Sequence, residues 1–139
     1  MQNNKLNWLL ILVLVVLLSS CKKVYDVEVI QEQGRILFSF SSLMQDLPKE
    51  QQLYLMELEI MLRNCEQDCQ QWFLSAKEAK VPLTTDKVIY GIRPEGLVET
   101  IKPKVLVGGE YSIDGFILVK EGNNEVKTIN FRKKFIVEP

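Results

Sequence analysis

The chain contains no histidine. The commonest general base, the usual neutral-pH switch and the commonest metal ligand are therefore missing. Cysteine is scarce, at three residues. Without histidine, that leaves a four-ligand structural zinc site unfilled. Charge of one sign is absent as well, with 17 Lys and Arg against 18 Asp and Glu. This balance carries neither the basic footprint of a nucleic-acid binder nor a strong acidic tail. The longest apolar run has 11 residues, positions 8–18, short of the roughly 20 that a spanning helix needs. No serine sits in a Gly-x-Ser-x-Gly context. Gly108-Gly109 lacks the Lys and Ser or Thr that would follow in a phosphate loop. No internal repeat or low-complexity tract appears, and nothing calls for a cofactor.

What is present begins with an address. Lys5 supplies a short positive region, and the apolar run 8–18 follows it. Small Ser19 and Ser20 come next, then Cys21 at once. Positive, apolar and small, in that order, is the layout of a secretory signal. Leu18-Ser19-Ser20-Cys21 resembles a bacterial lipobox. The resemblance implies a diacylglyceryl group on the Cys21 sulfur and cleavage between Ser20 and Cys21. Residues 1–20 are then a lipoprotein signal peptide and 21–139 the mature chain, with 21–23 as a membrane-proximal tether. That chain has 119 residues, enough for one domain. Lys5 leaves with the leader, so 16 cations face 18 acids and the net charge is −2. Lys22 and Lys23 begin a solvated tether that can also meet anionic headgroups. Lys22 stands where Asp would resemble an inner-membrane retention signal. The expected place is therefore the outer membrane, facing the periplasm.

The mature chain is patterned at a period of two, as half-buried strands are. Tyr25, Val27 and Val29 share a face, and Ile36, Phe38 and Phe40 share another, with Gly34 between the two segments. Val88, Tyr90 and Ile92 alternate with Lys87 and Arg93. Tyr111, Ile113, Ile117 and Val119 share a face, as do Ile129, Phe131, Phe135 and Val137. Glu121-Gly122-Asn123-Asn124 joins these last two as a hairpin turn. Residues 53–62 are ambiguous. Asp46-Leu47-Pro48 reads as a helix start, yet Tyr54, Met56, Leu58, Ile60 and Leu62 alternate with Glu57 and Glu59. A helix here would be apolar nearly all round, so a strand is expected, preceded by a helical turn near 47–51.

Short strands with turn signals at roughly 8–12-residue spacing predict a sandwich or barrel. Leu106-x-x-Gly109-x-Tyr111-x-Ile113 is similar to the tyrosine corner of immunoglobulin-like and fibronectin-like sandwiches. Trp72 lies where such a domain has a core Trp on a middle strand. The fold class is thus all-β, a single sandwich of that kind after a cleaved signal helix. Trp72, Tyr90-Gly91-x-x-Pro94-x-Gly96 and Gly109-x-Tyr111 together resemble small lipoproteins of Gram-negative bacteria, which implies no activity.

Cys65 and Cys69 bracket three polar residues at a hairpin tip. Export to an oxidising compartment favours a disulfide between them. A redox pair is the alternative, but the two-residue spacing and βαβ context of such motifs are lacking. Glu57 and Glu59 share a strand face, as a solvated surface or as paired carboxylates for acid–base work on sugars. Arg132-Lys133-Lys134 interrupts the last strand, with Lys133 on its apolar face. It marks a bulge, a charged edge that resists pairing, or a contact for anionic lipid or polysaccharide. The expected function is a non-enzymatic binding or assembly module, held at the membrane by lipid on Cys21. It would meet an envelope protein partner and no nucleic acid. A hydrolase of peptidoglycan or sugars using Glu57 or Glu59, and a periplasmic carrier with a pocket lined by Trp72, are the other readings.

Overall fold

A computed structural model describes residues 4, 5, 7 and 8 and the continuous stretch 26–139. Cys21, the expected cleavage site and most of the expected signal segment lie outside the described residues. The strands are β1 (Glu28–Glu32), β2 (Arg35–Ser39), β3 (Gln51–Leu62), β4 (Gln70–Ser75), β5 (Lys87–Ile89), β6 (Val98–Ile101), β7 (Gly109–Glu121) and β8 (Asn124–Val137), with one short helix, α1 (Ser41–Gln45), after β2. They form two antiparallel sheets, ordered β1-β2-β5 and β6-β4-β3-β7-β8, and the chain is an all-β sandwich. The neighbours β1-β2-β5 and β3-β7-β8 match the A-B-E and C-F-G neighbours of immunoglobulin sheets, with β4 moved across to the side of β3.

Local chemistry sets the hairpins. Gln33 and Gly34 both take positive φ, 49° and 75°, the geometry of a two-residue turn that matches strand twist. Gly122, at φ 60°, opens the β7–β8 turn, where Glu121 pairs with Asn124. Between the sheets, Phe38 meets Phe135 and Phe40 meets Phe131 edge-on, with ring centroids 5.7 and 5.2 Å apart. Trp72, Leu58, Ile60, Leu74, Ile113, Ile117 and Val119 fill the rest of the centre, each fully buried. The buried core cluster runs from Val27 to Phe135, so the domain brings its own core.

Residues 51–62 are a strand, and a bulge re-phases it. Leu55 pairs with Ile117 while Glu57 pairs with Phe116, so Met56 is the extra residue. Leu53 and Leu55 face the core before it, and Leu58 and Ile60 after it. Tyr54 and Met56 therefore do not share the face of Leu58. Tyr54 lies on the outer face, with Lys120 Nζ 5.4 Å from its ring centroid. The bulge gives the strand a longer apolar reach than strict alternation allows.

Two further expectations change, and the reading of Lys133 narrows from a bulge or a charged edge to the edge alone. The helical turn falls at Ser41–Gln45 rather than near 47–51, because Leu43 is drawn into the core there. β5 stops at Ile89, and Ile92 is 59 % exposed, since Gly91 turns the chain at φ 89°. Lys133 sits in unbroken register opposite Ile113, so no bulge occurs at that point. It faces inward on an edge strand, and its Nζ lies 2.9 Å from Asp26 Oδ2.

The two ends of the sandwich differ. At one end lie the β1–β2 turn, the β3–β4 tip, residues 102–108 and the C-terminus. Gln31 Nε2 donates to Ile136 O at 2.6 Å there, and Leu62 pairs with Tyr111. α1 and the β7–β8 turn lie toward the other end. Asp26 is level with α1, its carbonyl accepting from Ser42 Oγ. From there β1 runs toward the first end.

Candidate functional site

The β3–β4 tip carries the two remaining cysteines. Cys65 and Cys69 are joined with Cα atoms 5.6 Å apart, inside the usual range of about 4.4–6.8 Å. Asn64 and Asp68 take φ of 54° on either side, and Leu62 N donates to Cys69 O at 2.8 Å below them. Because the tip is already closed by backbone bonds, the covalent link adds little. A loop this short constrains the unfolded chain by about 2 kcal/mol at most. Cys65→Ser should therefore lower the unfolding free energy extrapolated from urea denaturation by that amount or less, with an unchanged slope. A larger loss would mean that the bond holds more than the tip.

Glu57 and Glu59 point to the outer face of the five-stranded sheet. Glu59 is opposite Asp114 on β7 and Phe73 on β4. Like charges directly opposite repel, and each carboxylate is given a partner on its far side. Glu59 Oε2 accepts from Gln70 Nε2 at 2.7 Å, and Asp114 pairs with Arg132 Nε. Shallow grooves of about 450 Å³ flank the Asp114–Arg132 pair, one lined by Glu57 and Phe116, the other by Glu59, Met61 and Arg63. Sequence reading found the two glutamates but not Asp114. Its part depends on cross-strand register, which a single strand's pattern does not reveal. Among the described residues, no three Asp, Glu or Cys side chains converge as a metal site.

Arg132 and Lys134 lie on the outer face of β8, while Lys133 turns inward. An open groove of about 510 Å³ runs between the β1 and β8 edges, walled by Val29 and Phe135 with Asp26, Glu28, Lys133 and Lys134 at its rim. Trp72 is completely buried. Its Nε1 donates to Glu99 Oε1 at 2.8 Å, and its ring stands edge-on to Tyr90 at 5.2 Å. The indole is thus engaged in packing.

Tyr111 forms the expected corner, its hydroxyl donating to Val107 O at 2.7 Å. Tyr90 repeats the device, donating to Lys104 O at 2.6 Å. Burial pushes the Tyr90 hydroxyl up to about 12, so it stays protonated and keeps donating at neutral pH. Lys104 N also donates to Gln71 O at 3.0 Å. Leu106 packs on the core between these clamps, while Val105 and Val107 stand 88 % and 65 % exposed. The sequence pattern placed Leu106 and Gly109 in the tyrosine corner but gave Val105 and Val107 no part. The alternation of Val105, Leu106 and Val107 was the available signal.

No protein-family model, no curated protein and no solved structure matches the chain.

Proposed function

We propose that this chain is a lipid-anchored protein of the bacterial envelope, with diacylglyceryl on Cys21, whose sandwich binds or assembles with another envelope component without catalysing a reaction. The observation that carries the reading is Leu18-Ser19-Ser20-Cys21 at the end of an 11-residue apolar run, five residues before the domain. The remaining cysteines support it, since a bonded pair suits an exported protein. Glu59 and Asp114 are engaged by Gln70 and Arg132, which favours a surface over an acid–base pair. Loops and edge strands held by a rigid sandwich are natural contact surfaces. Lys22 in place of Asp supports the periplasmic face of the outer membrane.

Photo-cross-linking side chains placed at Phe116, Lys134 and Ile92 sample the sheet face, the edge and the loops in intact cells. At least one should trap a discrete envelope protein, lost on competition with the untagged chain. Failure at all three positions would overturn the assembly role, and sugar hydrolysis abolished by Glu57→Gln or Glu59→Gln would replace it with an enzyme.

A further inference from the structure

β1 and β8 are end strands of different sheets, and they wall the same open groove. Both turn backbone groups into it that no neighbouring strand takes up. In an antiparallel pair, residues that exchange bonds alternate with residues that do not. Tyr90 N donates to Ile36 O at 2.8 Å. Ile36 therefore bonds toward β5, and its β1 partner Gln31 points its backbone N–H and C=O to the free edge. Val29, two residues back, has the same phase. Arg63 N donates to Glu110 O at 2.9 Å. Glu110 therefore bonds toward β3, and its β8 partner Ile136 points to the free edge as well. Lys134 shares that phase, since the register between them is unbroken. One of these carbonyls already holds an amide: Gln31 Nε2 donates to Ile136 O at 2.6 Å. That side chain stands where the N–H of an added strand would.

We infer that this groove takes a short extended segment of a protein partner, which displaces the Gln31 amide, pairs with β8 at Lys134 and Ile136, and sets an apolar side chain against Val29 and Phe135. The inference rests on the assembly reading above and names the partner's chemistry. Backbone groups on alternate residues repeat at roughly 7 Å along an edge, a spacing that another extended chain matches. Main-chain bonds then supply affinity, and the apolar wall supplies selection. The charges lining the groove cancel, with Asp26 and Glu28 against Lys133 and Lys134, so no charged ligand is favoured. The segment is short because both ends of the groove are bridged. Gln31 reaches Ile136 at one end, and Lys133 reaches Asp26 at the other, 2.9 Å apart. The inward Lys133 keeps a foreign strand from running the length of β8, which leaves room for a few residues only.

A tethered strand tests this before the partner is known. Residues 22–139 hold the whole buried core cluster, Val27 to Phe135. They are extended past Pro139 by a flexible Gly/Ser linker and a short strand of alternating Thr and Val. The linker holds that strand beside the groove at an effective concentration of about millimolar. Amide exchange at Lys134 and Ile136 should slow by about tenfold or more, and added salt should change this little. Proline at alternate positions of the added strand should restore fast exchange. Lys134→Pro should restore it at Ile136 with the melting temperature nearly unchanged, because the Lys134 N–H takes no part in the β7 ladder. In cells, cross-links formed at position 134 should disappear from the tethered form, while any at Phe116 or Ile92 persist. Exchange unaltered by the tethered strand, or protection that survives Lys134→Pro, would overturn the inference. A partner trapped at Phe116 or Ile92 and never at position 134 would overturn it too, and would leave the assembly reading standing.

Discussion

Gly115→Ala should cost about 3 kcal/mol or more of folding free energy, and Gly115→Val should leave no folded domain at growth temperature. Gly115 lies in the middle of β7, opposite Leu58 on one side and Phe131 on the other. Mid-strand glycine is ordinarily a weakness. Here the Met56 bulge drives the β3 backbone toward β7, and a Cβ at position 115 would collide with the Glu57 carbonyl. It would also lie 2.6 Å from Cζ of Phe131, whose ring packs edge-on to Phe40. A flexible side chain moves aside at small cost. A carbonyl in a central ladder moves only with its strand, and a ring locked between two sheets has no free rotamer. Domains of this size hold roughly 5–15 kcal/mol in total. A loss of about 3 kcal/mol lowers the melting temperature by more than about 10 °C. Thermal unfolding followed by circular dichroism measures it. Gly34→Asn is the matched control: its turn is open, with nothing within 4 Å of an added Cβ, and Asn tolerates its positive φ. It should change stability by less than about 1 kcal/mol. If Gly115→Ala melts with the wild type, the bulge does not press on β7 as described.

That glycine shows where the sequence stops being readable. Period-two faces, turn residues and the tyrosine corner are local, and each leads to a strand, a hairpin or the sandwich class. The bulge is not local. Tyr54, Met56 and Leu58 alternate perfectly in sequence, and only the pairing of Leu55 with Ile117 and Glu57 with Phe116 reveals the slip. The same limit applies to the outer face. Glu57 and Glu59 are visible as a pair, yet Asp114 joins them through register and Arg132 through the next strand. Lys133 was legible as a charge on an apolar face. Its reason required knowing that β8 is an edge strand, where an inward charge discourages pairing with another chain. β6 had no signal at all: residues 98–101 are short, partly exposed and joined to β4 across a register shift.

Cys21→Ser should abolish incorporation of radiolabelled palmitate into this chain. The wild type should carry the label, and its intact mass should correspond to a chain starting at Cys21 plus acyl groups. The thioether requires the thiol, and a hydroxyl at that position gives the acyl donor no equivalent nucleophile. Energetically the change is large. Each buried CH₂ is worth roughly 0.8 kcal/mol, and a single acyl chain gives only marginal binding, so two or three chains separate a persistent anchor from a transient one. Label is a better readout than fractionation. A variant left uncleaved keeps the apolar run 8–18, and 11 residues reach only roughly 16 Å at the rise of a helix, about half the bilayer core. Such a segment can hold protein in a membrane pellet without spanning it. Label retained by Cys21→Ser would move the lipid to another residue. The domain would then lose its stated point of attachment at Cys21, although its fold, its disulfide tip and the exposed valine loop would stand unchanged.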